Sequence, residues 1–118
     1  ALIVRNNATL GDYDFGTATI TTKAATSVIP SQGTGIKCYL TAVTIANAGT
    51  TSVYVELQSG VTRWILPAPC GTAGITMGGV THDFGSYGLP GAAATAWSFL
   101  PSATTTLYVS ALGYSTKI

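Results

Sequence analysis

The side chains able to do chemistry are few, and they are poorly placed for it. His82 is the only histidine, and Asp83 follows it directly. A histidine beside a carboxylate is the start of a nucleophile-activating triad or of a metal site. Neighbouring residues of a strand point to opposite faces, however, so these two side chains diverge if the stretch is extended. Asp12 and Asp14 flank Tyr13 and offer two carboxylates to a hard cation. Calcium takes about six to eight oxygens, and no loop-and-helix ligand pattern surrounds this pair. Cys38 and Cys70 are the two thiols, far apart in sequence and without a second histidine to complete a zinc set. The glycine pair Gly78-Gly79 precedes no helix, so it fits neither a phosphate loop nor a dinucleotide fingerprint. The expectation is a chain with no catalytic group, no metal and no cofactor.

Aromatic residues are the stronger signal. Trp64 and Trp97 both sit in apolar, strand-like runs, which favours packing in the core over stacking on a sugar ring. Tyr39, Tyr54 and Tyr108 fall on the outward parity of their strands. Tyrosines on an outer face with few charges are what a protein interface favours.

The elements that must position these groups are strands. Thr, Val, Ile and Tyr dominate between closely spaced Gly and Pro, and no segment keeps a helical apolar period. Strands are expected at 17–22, 28–30 and 36–47, the last the longest. Its apolar phase flips near Thr41-Ala42, which points to a β-bulge. Further strands follow at 53–58 and 62–66, weakly at 75–77 and 80–84, and at 97–100 and 105–112, with a loop over 67–74 and a connection over 91–96. About seven to eight short strands at near-regular spacing read as an all-β fold, an antiparallel β-sandwich of jelly-roll or immunoglobulin-like kind. Cys70 follows Trp64 too closely for the immunoglobulin Cys–Trp–Cys signature. Residues 1–16 read as an N-terminal arm before a single sandwich domain over 17–118. In it an apolar tip, Leu2-Ile3-Val4, precedes Tyr13 and Phe15, and all five are candidate anchors on a neighbouring surface, the equal alternative being that Leu2 to Val4 completes this chain's own sheet.

Composition narrows the class. The 118 residues suit one domain, and 47% of them are hydrophobic. Charged residues are only 8%, where about 25% is usual. So little charge leaves the surface poorly solvated, and part of it is expected to meet other protein. A net charge of +1 gives no basic footprint for nucleic acid and no polybasic membrane patch. No apolar run approaches the ~20 residues of a membrane helix. The opening Ala1–Arg5 has no signal-peptide pattern.

The order of segments resembles a family of small tailed-phage virion proteins. Gly35-Ile36-Lys37-Cys38-Tyr39-Leu40-Thr41-Ala42-Val43-Thr44-Ile45-Ala46-Asn47 is similar to that family's long strand. Next comes a hairpin with Gly60-Val61-Thr62-Arg63-Trp64, then the turn Pro67-Ala68-Pro69-Cys70-Gly71. Leu89-Pro90-Gly91-Ala92-Ala93-Ala94-Thr95-Ala96 and Leu107-Tyr108-Val109-Ser110-Ala111-Leu112-Gly113-Tyr114 complete the series. The family's Pro-Leu is inverted here to Leu89-Pro90, and Cys70 replaces a small residue. The resemblance implies a non-enzymatic structural protein, a capsid decoration or minor head protein of a bacteriophage virion, assembled in the host cytoplasm. It implies self-association, as a trimer by analogy, and contact with other virion proteins such as the major capsid protein. The alternative is a carbohydrate- or receptor-binding module on a tail or fibre, which requires an exposed tryptophan beside hydrogen-bonding groups. Phage parts form in a reducing cytosol, so Cys38 and Cys70 are expected to stay unbonded.

Overall fold

The computed structural model describes residues 13–71 and 78–117; residues 1–12, with the Leu2-Ile3-Val4 tip and Asp12, and residues 72–77, with the strand expected at 75–77, lie outside it. The described residues form nine strands: β1 (Tyr13–Ile20), β2 (Thr26–Ile29), β3 (Ile36–Asn47), β4 (Val53–Ser59), β5 (Thr62–Ala68), β6 (Gly78–Asp83), β7 (Leu89–Pro90), β8 (Trp97–Pro101) and β9 (Leu107–Lys117). Two antiparallel sheets make a sandwich. One has the order β1-β9-β3-β6, with β7 also pairing β3, and the other has the order β2-β8-β4-β5. The all-β reading holds. The strand beyond the expected number is β7, two residues that pair with Tyr39 and Leu40.

Side-chain alternation sets which face goes inward. In β4, Val53, Val55, Leu57 and Ser59 are buried while Tyr54 is exposed. Trp97 and Phe99 of β8 and Leu107, Val109 and Ala111 of β9 complete the core with Leu40, Val43 and Ile45 of β3. The anticipated bulge is present: the β3–β9 register shifts between Leu40 and Ala42, moving the buried set from Cys38 and Leu40 to Val43 and Ile45. The Thr41 hydroxyl donates to the Leu112 carbonyl at 3.0 Å, satisfying a group beside the irregular ladder. Gly60 and Val61 close the β4–β5 hairpin. The positive φ of Gly60 (60°) suits the first position of a tight two-residue turn.

Several boundaries differ from the sequence expectation, and three of them carry a physical lesson. Tyr13–Gly16, grouped with the arm, continue β1 and pair with β9, Tyr13 opposite Tyr114 and Phe15 opposite Leu112. Asp14, between Gly11 and Gly16, made this stretch read as a turn. Its side chain instead turns inward and accepts a hydrogen bond from the Ser115 hydroxyl. β5 runs on through Pro67 to Ala68, where a loop was expected. It is an edge strand, the one place in a sheet where a missing N–H is tolerated. Gly78 and Gly79 lie inside β6, paired with Asn47 and Ala46. At Gly79, φ is +150° and a Cβ would collide with the Ile45 carbonyl, so only glycine lets β6 approach β3.

The two thiols are free. Cys70 lies beside Gly78, which pairs with Asn47 at the far end of β3 from Cys38. The strand from Cys38 to Asn47 is about 30 Å long, and a disulfide needs Cα atoms within about 7 Å.

Candidate functional site

The outer face of the five-stranded sheet gathers most of the aromatic candidates. Cross-strand pairing lays them in rows. Tyr13, Tyr114 and Tyr39 form one row across β1, β9 and β3, and Phe15, Leu112 and Ala42 form the next. Thr17, Ser110, Thr44 and Thr81 make a row of hydroxyls across four strands, and Thr19, Tyr108 and Ala46 follow. Phe15 is 77% exposed, and Tyr13, Tyr108 and Leu112 are each exposed by more than two-fifths. Tyr39 stacks on Tyr114 with ring centroids 5.1 Å apart and planes 5° from parallel. The Tyr114 hydroxyl donates to the Tyr87 carbonyl at 2.7 Å, which fixes the ring further. Desolvation, then the neighbouring Tyr39 and Tyr87 phenols, push the Tyr114 phenol up from its ordinary value of 10.0. Among the described residues the only charged side chains on this face are Lys37 and Asp83.

Tyr54 does not join this group. It lies on the outer face of the opposite sheet and is 65% exposed. That face also carries an ion pair, Arg63 Nε to Glu56 Oε1 at 2.8 Å, with Gln58 donating to the same carboxylate at 3.1 Å. Exposed Ile65 neighbours a shallow depression of about 310 Å³ reaching Lys23 and Leu100. A second depression of about 320 Å³, lined by Val53, Tyr54, Pro67, Pro69 and Val80, opens where the two sheets end.

The tryptophans separate, which corrects the expectation that both pack in the core. Trp97 is fully buried. Trp64 is 42% exposed because β5 is an edge strand and only the margin of β6 faces it. Its ring meets Phe84 edge-on at 5.5 Å and lies 6.1 Å from His82, which in turn packs against Phe84 at 4.5 Å. His82 and Asp83 do diverge. His82 faces this aromatic cluster, while the Asp83 carboxylate accepts the Gly85 N–H at 2.7 Å on the other side. Among the described residues no three His, Cys, Asp or Glu side chains gather to hold a metal.

The apolar run around Cys38 predicts a buried thiol, but the carboxylate beside it, Asp14, was not anticipated. Cys38 is buried against Asp14 and Gly113. Burial first, then a hydrogen bond to Asp14 and its charge, push the thiol far above its ordinary 9.0, so it is no nucleophile. An unfolded chain releases this proton above pH 9 while the folded chain keeps it. This contribution to stability is therefore complete below that pH and is lost as the pH rises beyond it. One proton gives a slope of about 1.4 kcal/mol per pH unit. Urea unfolding of the native chain and Cys38→Ser between pH 9 and 11 checks this. The variant is expected to show the shallower loss, and parallel curves would disprove the assignment.

Tyr114 falls beyond the expected end of β9 at Leu112, and Leu112, an apolar last residue, was not placed on either face. Continuing the outward parity of β9 from Tyr108 and Ser110 would have found both. No family model, curated protein or solved structure matches the chain.

Proposed function

We propose that this chain is a structural, non-catalytic protein that binds other protein through the outer face of its five-stranded sheet. The observation that carries the reading is that face itself: a rigid tyrosine stack, exposed Phe15 and Leu112, hydroxyl rows and, among the described residues, only two charges. Aromatic residues are enriched and charges depleted at the centre of protein interfaces, and rigid rings bind at low entropic cost. The order of segments in the sequence, similar to that of small tailed-phage virion proteins, supports placing the chain on a phage particle as a head decoration or minor capsid protein. Imaging an intact particle by electron microscopy, with this chain located in it, tests the reading. Density for the sandwich on the capsid, with the five-stranded sheet turned toward a protein neighbour, is the expected result. A particle lacking the chain, or holding it with this face open to solvent, would overturn it.

The half-exposed Trp64 ring beside His82 favours a second reading, a glycan- or receptor-binding module on a tail or fibre. A glycan array distinguishes the two. Binding that Trp64→Ala abolishes while the fold persists would transfer the function to this second site.

A further inference from the structure

We propose that the five-stranded face pairs with the same face of a second copy about a two-fold axis, with Lys37 of each copy against Asp83 of the other. This rests on the reading of that face as a protein-binding surface and names its partner. A two-fold interface must be self-complementary: if residue i meets residue j, then j meets i. Among the described residues the two charges of the face are of opposite sign, and neither has an ion-pair partner there. Lys37 is the outward position of β3 just before Tyr39, and Asp83 pairs with Ala42, the outward position after it. They stand about 14 Å apart, from one strand spacing and four residues of rise.

A two-fold axis lying in the plane of contact exchanges any two such points if it bisects the line between them. Here that bisector crosses the strands between the row Tyr13–Tyr114–Tyr39 and the row Phe15–Leu112–Ala42. The axis that pairs the charges therefore runs through the aromatic and apolar patch. Each copy lays its Leu112 and Phe15 near those of its partner, where water is best excluded. Charge and apolar surface select the same geometry by separate routes. The opposite face has no such arrangement, since Arg63 and Glu56 already satisfy each other within one chain.

The extent is of the right order. Four strands ~4.8 Å apart and about eight residues long present about 500 Å² in plan, before the relief of the side chains is added. A stable pair buries about 800 Å² per partner. A single flat face is wholly covered only by one facing copy, so the assembly is two-fold rather than the trimer that the resemblance implies. Tyr108 lies several rows from the axis and stays outside the contact.

Light scattering after size exclusion on the full chain, at micromolar concentration, tests the pairing. The expected mass is twice the 12.0 kDa of the chain. Leu112→Arg sets two like charges near the axis and is expected to raise the dimer dissociation constant about tenfold or more. Ile65→Arg on the opposite face leaves it unchanged. Lys37→Asp or Asp83→Lys alone sets like charges together twice per dimer and weakens it, and the double reversal restores it. A melt followed by circular dichroism verifies that each variant is folded. A monomer, a trimer, or a dimer indifferent to Leu112→Arg overturns the pairing. If a monomeric chain still binds particles and Leu112→Arg abolishes that, the pairing fails while the protein-binding reading stands. If neither self-association nor particle binding responds, both fall.

Discussion

Trp97→Ala is expected to lower the melting temperature by about 20 °C. Trp97 is completely buried between the sheets, and its indole Nε1–H donates to the Cys38 carbonyl at 3.0 Å. The same carbonyl accepts the Gly91 N–H at 3.0 Å, so the indole clamps the connection between β7 and β8 onto β3. Removing a large aromatic from a packed core costs about 3–5 kcal/mol, from lost transfer energy and the cavity left behind. The hydrogen bond adds only about 1 kcal/mol, because Gly91 remains on the carbonyl. At about 2.1 cal/mol/K per residue, a chain of this length loses a degree for each ~0.25 kcal/mol. Trp64→Ala, on the rim, is expected to cost less than half as much. Thermal melts of the two variants by circular dichroism make the comparison. Equal shifts would mean that the core does not centre on Trp97.

Wherever the chain alternates strictly, its sequence was enough to place it. β4 and the first part of β9 gave their inward faces directly, and the break in phase at Thr41-Ala42 located the bulge in β3. What failed was inference at positions whose residue type contradicts its environment. Asp14 reads as a turn residue, but it is an inward strand position made tolerable by Ser115 and Cys38, which are distant in sequence. Pro67 reads as a strand end, but β5 is an edge strand, and edge position is a property of the assembled sheet. Trp64 and Trp97 have similar apolar neighbours, and only the strand order separates a rim position from a central one. The candidate surface was legible in part for the same reason. Tyr39 and Tyr108 followed from parity, and the structure adds that Tyr13 and Phe15 share their face while Tyr54 does not. Parity within a strand cannot tell which of two sheets the strand joins.

Asn47 is the position whose residue type carried least warning of its role, and Asn47→Asp is expected to be among the most damaging conservative changes in the chain. It ends β3 and is fully buried. Its amide nitrogen donates to the Thr51 carbonyl at 2.9 Å and to the Ala68 carbonyl at 2.8 Å. Its amide oxygen accepts the Gly49 N–H at 3.0 Å and the Thr105 hydroxyl at 3.2 Å. One side chain thus ties the 48–52 turn, the end of β5 and the approach to β9 into a single joint. Asn47→Ala leaves these groups without partners inside the protein, at about 1–3 kcal/mol for each group that water cannot reach. Asn47→Asp keeps the shape but sets a carboxylate oxygen against two carbonyls. The folded state can accept it only protonated, so its pKa rises above the unfolded value of ~3.9. The sign follows: a carboxyl whose folded value is raised stabilises below the unfolded value and loses that stability as the pH climbs. Asn47→Asp is therefore expected to lie closer to the native chain at pH 4 than at pH 7, with a gap at neutral pH of about 3 kcal/mol or more. Urea unfolding of both proteins at the two pH values measures the gap. A gap that is small, or the same at both, would mean that Asn47 does not hold the joint by these four bonds.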